Sequence, residues 1–210
     1  MNKRDDIAAA ILVGGKSSRM GKDKALLEFN GISFIRRVAE VFFQECSPVI
    51  VISDHGERYS FLGLPVCEDE YKNCGPLGGI HTALKNVPTN TVCIASCDIP
   101  FIHRDLLRQL LDVRGEEDIT VFSSNGMVQP LFGIYHTRIL PTLEKHLNSN
   151  RFSVLDFLRD VKTVHVTPPF NTMAAHALLN INTPTEYIQH CGNIGYGTID
   201  VIYDEFHKEK

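Results

Sequence analysis

An apolar run from Ile7 to Val13 leads directly into Gly14-Gly15-Lys16-Ser17-Ser18-Arg19-Met20-Gly21-Lys22-Asp23-Lys24. The run is long enough to be one buried strand, and the segment after it is a basic glycine-rich loop. Paired glycines at a strand's carboxyl end let the backbone turn sharply and bring bare N–H groups close to an anion. Arg19 and Lys24 add cations that a phosphate chain would attract. Strand and loop together read as a cradle for nucleotide phosphates, set against the plainer alternative of a surface turn with incidental charges.

Two common cradles are excluded. A P-loop needs G-x-x-x-x-G-K-[ST], whereas Gly15 and Gly21 have the wrong spacing and Lys22 is followed by Asp23; no G-x-G-x-x-G fingerprint is present either. The stretch resembles the G-G-x-S-x-R-M-G-x-D-K signature of the molybdenum cofactor guanylyltransferases, the MobA type within the nucleotidyltransferase group. Gly14, Gly15, Ser17, Arg19, Met20, Gly21, Asp23 and Lys24 match every fixed position.

Strand and helix patterns alternate along the rest of the chain. Ala25 to Phe29 reads as a short strand turning at Asn30-Gly31, a strong hairpin signal. Ser33 caps a helix whose apolar positions Phe34, Ile35, Val38, Val41 and Phe42 fall at helical spacing. After Pro48, Val49 to Ile52 is a second buried strand, and Ser53 to Gly56 at its carboxyl end either borders a base pocket or forms a plain turn. Leu64 to Cys67 reads as a third strand. Acidic Glu68-Asp69-Glu70 comes after it, then Gly75-Pro76-Leu77-Gly78-Gly79 opening a helix, where backbone can approach a ligand beside the positive helix end.

The fourth strand, Thr91 to Ser96, ends in Cys97-Asp98-Ile99-Pro100-Phe101. A carboxylate there is well placed to hold Mg²⁺ over cradled phosphates, or else it caps the helix that starts near His103. Helix Arg104–Asp112 and strand Ile119–Phe122 come next. Met127 to Tyr135 contains Pro130 and so reads as an edge or bulged strand. Helices are expected near Ile139–Leu147 and Ser153–Arg159, with a strand at Val161–Val166 between them and the final segment. In Asn180-Ile181-Asn182-Thr183-Pro184 two neutral amides recur at period two before a cap and an N1 proline. The expected architecture is a three-layer α/β/α sandwich on a mainly parallel, Rossmann-like sheet. Residues 1–190 would form one domain, and 191–210, with Gly192, Gly195 and Gly197, an extension of unassigned role.

The family resemblance extends over most of this length. It implies transfer of GMP from GTP to the phosphate of molybdopterin, with Mg²⁺ as cofactor. Carried over residue by residue, it makes Arg19, Lys24 and Asp98 catalytic and Asp98 the metal ligand. Leu12, Gly14, Gly15, Ser17, Gly21, Asp69, Gly75, Pro76 and Leu77 join Arg19 and Lys24 around the nucleotide, although Asp69 could equally belong to a solvated loop face. Gln129, Arg151, Asn180 and Asn182 fall on the acceptor side. From the residues alone, Gln129 is as well read as an edge-strand amide, Arg151 as a solvated arginine, and Asn182 as a turn residue. Related transferases for cytidine or sugar nucleotides usually carry Ala-Gly where this chain has Gly14-Gly15. A non-catalytic nucleotide-binding module is the rival from another class.

The remaining expectations come from what the chain lacks. Its formal charge of −4 gives no ground for nucleic-acid or membrane binding, so its partners are small anions, and the resemblance adds transient contact with other cofactor-biosynthesis proteins. No apolar window reaches the ~18 residues of a spanning helix and no signal peptide opens the chain, which points to the cytoplasm. Six cysteines without a C-x-x-C pair read as reduced and structural.

Overall fold

A computed structural model describes residues 6–14, 23–124, 126–168 and 176–192. Its centre is a seven-stranded sheet of order β5-β4-β1-β6-β8-β7-β9. The strands are β1 (Ile7–Leu12), β4 (Val49–Ile52), β5 (Val66–Cys67), β6 (Thr91–Ser96), β7 (Ile119–Ser124), β8 (Met127–His136) and β9 (Thr163–Val166). β1 pairs in parallel with β4 on one side and β6 on the other, β4 with β5, and β7 with β9. Only β8 runs against its neighbours, β6 and β7.

The buried side chains divide between two faces. Ile7, Ala9 and Ile11 of β1 pack with α1 (Phe34–Phe43) and α3 (Arg104–Val113), whereas Ala10 and Leu12 pack with α2 (Pro76–Lys85), α4 (Leu140–Asn148) and α5 (Val154–Arg159). Successive strand side chains point to opposite faces, so a strand covered on both must be apolar throughout; this is why β1 shows no alternation. The result is the expected three-layer sandwich. A third cluster, Leu27, Phe34, Phe101, Ile181, Tyr187 and Cys191, seats α6 (Pro184–Cys191), the last helix among the described residues.

Several local expectations hold for their stated reasons. Asn30 and Gly31 both take positive φ, 56° and 71°, and join β2 (Glu28–Phe29) to β3 (Ile32–Ser33) as an antiparallel hairpin. Thr183 caps α6 through a full capping box with Glu186, with Pro184 inside the first turn.

Others need correction. Lys24–Leu26 is a 3₁₀ turn rather than strand, because Asp23 accepts the Ala25 N–H and caps it. Ser33 precedes α1 without a side-chain capping bond. Of the two readings of Met127 to Tyr135, edge or bulged strand, the edge does not hold and the bulge does, because β8 lies between β6 and β7. Its register with β7 jumps from Val121↔Gly133 to Phe122↔Gln129, so residues 130–132 have no β7 partner, although Phe132 still pairs with Ala95 of β6, and Pro130 falls opposite no residue of either neighbouring strand. Asp98 does not cap α3, whose N-cap residue is His103. Among the described residues no helix is long and apolar enough to cross a membrane.

Candidate active site

The carboxyl ends of β4, β1 and β6 stop side by side, and a cleft of about 970 Å³ opens above them. Leu12, Ile52 and Ser96, the last residues of those strands, form its floor. Parallel strands bring their following loops to one end of the sheet, so residues far apart in sequence must converge there. Lys24 and Asp98 both line this cleft.

Each is held by a separate device. The 3₁₀ turn carries Lys24, whose Nζ donates to Asn182 Oδ1 at 2.8 Å. The Asn182 N–H in turn donates to Glu186 Oε2 at 2.6 Å, which ties the contact to the capping box of α6. Asp98 comes just after β6, and its carbonyl accepts the Ile181 N–H at 2.8 Å. Neighbouring residues of one segment thus hold both groups. Asp98 Oδ1 is buried without a protein partner. A buried carboxylate oxygen left unpaired costs free energy unless a cation or donor meets it. Mg²⁺ is commonly held by one or two carboxylates together with substrate phosphates and water, so a single cleft carboxylate with an unpaired oxygen fits it. No group of three or more metal-ligating side chains occurs among the described residues.

The opposite wall is built by α2. Gly75, at φ 62° and ψ −155°, precedes Pro76 in its first turn, and both line the cleft with Gly79. A side chain on Gly75 would be strained in that conformation. Asp69 also lines the cleft, and its Oδ1 is likewise buried without a partner. Burial, with the nearby Asp54 charge, pushes its carboxyl above the usual range. The Asp69 N–H donates to Asp54 Oδ1, which also accepts from Lys72 Nζ.

The other expected residues take varied positions. Gly14 and Leu12 line the cleft, whereas Leu77 is fully buried in the core beneath it. Gly15, Ser17, Arg19 and Gly21 lie outside the described residues. Gln129 Nε2 donates to Leu178 O at 3.0 Å and to Asn180 Oδ1 at 2.7 Å, joining the β8 bulge to the segment before α6. Arg151 is not among the cleft-lining residues; its guanidinium pairs with Asp160 at 3.0 Å. Ser53, Asp54 and His55 do line the cleft.

Sequence reading missed Arg58 and Tyr59. They belong to the 3₁₀ segment Gly56–Leu62 and reach Asp23 Oδ2, Tyr59 by a 2.7 Å hydrogen bond and Arg58 by a 3.6 Å ion pair. Seven residues without periodicity give no signal that would have found them.

Residues 9–164 match the family model of the MobA-like NTP transferase domain. The chain is a MobA-like NTP transferase. A protein of Carboxydothermus hydrogenoformans named "Probable molybdenum cofactor guanylyltransferase" is 37% identical over 87% of this chain and 93% of its own. The "Molybdenum cofactor guanylyltransferase" of Vibrio atlanticus is 35% identical over 85% and 92%. The fold matches the crystal structure of molybdopterin-guanine dinucleotide biosynthesis protein A from Archaeoglobus fulgidus with a TM-score of 0.75, at 22% identity over 88% and 97% of the two chains. As a MobA-like NTP transferase the chain is an enzyme, a nucleotidyltransferase, and the cleft at the strand ends is its candidate active site.

Proposed function

We propose that this MobA-like NTP transferase moves GMP from GTP to the phosphate of molybdopterin, forming molybdopterin guanine dinucleotide and releasing pyrophosphate. The observation that carries the reading is the joint placement of Lys24 and Asp98 on one cleft, with an Asp98 oxygen left for a cation. The names of the relatives support the base and the acceptor.

The acceptor is a phosphate monoester with a second pKa of about 6, so at neutral pH it is already mostly a dianion and needs no general base. One of its oxygens attacks the α-phosphorus of GTP. The bond from that phosphorus to the bridging oxygen of the β-phosphate breaks, and pyrophosphate leaves with the electron pair. The obstacle is repulsion between two anions. Lys24 meets it with a fixed positive charge, its ammonium already oriented by Asn182 before substrate arrives. Asp98 would hold Mg²⁺, and the chemistry the ion would supply there is neutralisation of phosphate charge. The Gly75-Pro76 turn brings the positive end of α2 to the wall of the same cleft.

Asp69 faces the base, and its raised carboxyl retains a proton more readily than an exposed aspartate would. The loop from Gly14 through Gly15, Ser17, Arg19 and Gly21 serves the triphosphate and Gln129 and Asn180 the acceptor, whereas Arg151, paired with Asp160 away from the cleft lining, is left out of the reading. Incubation with Mg²⁺, molybdopterin and each nucleoside triphosphate in turn tests the reading. GTP should release pyrophosphate in an acceptor-dependent manner; equal or greater release from CTP would assign the enzyme to the cytidylyl class instead.

A further inference from the structure

Asp23 is the clamp at the base of Lys24. Its Oδ1 accepts the Ala25 N–H at 3.1 Å, closing the turn on which Lys24 stands. Its Oδ2 accepts the Tyr59 hydroxyl at 2.7 Å. Tyr59 is only 2% exposed, so its ring has no freedom to withdraw the hydroxyl. Arg58 approaches the same oxygen only to 3.6 Å, from a side chain that is half exposed, and so contributes little. The backbone beneath Lys24 is therefore fixed from the β4 side by Tyr59, while its ammonium is fixed from the α6 side by Asn182.

We infer that Tyr59 is a positioning residue for nucleotidyl transfer: its hydroxyl, through the Asp23 carboxylate, sets the height and direction at which Lys24 enters the phosphate site. The inference rests on the function proposed above and adds a residue from a segment outside the glycine-rich motif. A tyrosine hydroxyl suits this task because it donates to a carboxylate without adding charge to the cleft. Burial, together with the Asp23 charge, pushes its ionisation far above the ordinary range, so the donor persists at every working pH. A lysine whose ammonium lies off its target by a fraction of an ångström still binds triphosphate, yet it gives up part of the stabilisation it owes the transition state.

Steady-state kinetics of Tyr59→Phe and Asp23→Asn, alone, together and each on a Lys24→Ala background, test this. The wild-type protein must first turn over GTP with Mg²⁺ and molybdopterin; if it does not, the functional reading fails and not this one. The expected result is a loss of about tenfold in kcat/KM for Tyr59→Phe, carried mostly by kcat, the size expected for a hydrogen bond to a charged group. Asp23→Asn should lose at least as much. The double variant should be no worse than Asp23→Asn, and Tyr59→Phe should change nothing further once Lys24 is gone, because all of these changes act through one ammonium. A merely structural tyrosine would lower the residual rate by the same factor in every background. That multiplicative pattern, or wild-type kinetics in a folded Tyr59→Phe, overturns the inference. Should Tyr59→Phe fail to fold, Asp23→Asn on the Lys24→Ala background decides: no further loss supports the clamp, and a multiplied loss overturns it.

Discussion

Lys24 and Asn182, 158 positions apart, are joined by a 2.8 Å hydrogen bond from the ammonium to the side-chain carbonyl. The two terminal regions of the fold meet at this bond. It turns the asparagine from a turn residue into a support for the lysine. Asn182→Ala should lower kcat/KM for nucleotidyl transfer by about tenfold, since a hydrogen bond to a charged group is lost. Asn182→Asp should cost more, because a carboxylate against Nζ offsets the charge that the phosphates need. Kinetics on the two variants, with melting curves to show that the capping box of α6 survives, check the order.

Lys24→Ala and Asp98→Ala should each reduce turnover by ~100-fold or more, the scale of losing an electrostatic stabiliser in a preorganised site. The unpartnered Asp98 Oδ1 is relieved of its burial by the substitution, so the melting temperature should not fall with the rate. Near-normal pyrophosphate release from either variant would remove that residue from the mechanism.

Away from the cleft, Glu45 accepts hydrogen bonds from both Arg104 and Arg108 and joins the end of α1 to α3. Burial would raise its carboxyl, but the two arginines outweigh that and hold it below the usual range. A carboxyl lowered in the folded state contributes stability above its unfolded pKa, about 4.3, and loses it as pH falls through the folded value. Glu45→Gln should therefore lower stability at pH 7 by ~1–3 kcal/mol, with a smaller deficit at pH 3. Chemical denaturation at the two pH values reads this directly.

Gly75→Ala should destabilise the protein by ~1–3 kcal/mol, because φ 62° with ψ −155° belongs to a region that is essentially glycine's alone. The same change displaces the first turn of α2 from the cleft, so KM for the nucleotide should rise. Thermal melting and nucleotide titration track the two effects separately.

Much of this fold was legible because local signals agreed with tertiary demand. The helical spacing of Phe34, Ile35, Val38 and Phe42 matches the buried stripe of α1, and Asn30-Gly31 could hardly be anything but a tight hairpin turn. Asp98 was legible as a cleft residue because a strand end fixes where a loop begins. The strand expected at Ala25 to Phe29 was partly displaced because one carboxylate, on Asp23, closes a turn that apolar content cannot reveal. The place of β8 was half legible: Pro130 allows an edge or a bulged strand, and the bulge against β7, where Pro130 faces no partner in either neighbour, is what the sheet contains. Tyr59 and the Lys24–Asn182 bond are long-range contacts, and no pattern within a short window carries them.

The most direct measurement is the mass of the product formed from GTP, Mg²⁺ and molybdopterin by wild-type protein and by Lys24→Ala. The expected result is a GMP-molybdopterin dinucleotide with one pyrophosphate released per dinucleotide, and a yield at least ~100-fold lower from the variant at equal time. Dinucleotide formed as fast by Lys24→Ala as by wild type, or no dinucleotide from folded wild-type protein, would contradict a catalytic cleft built on Lys24 and Asp98.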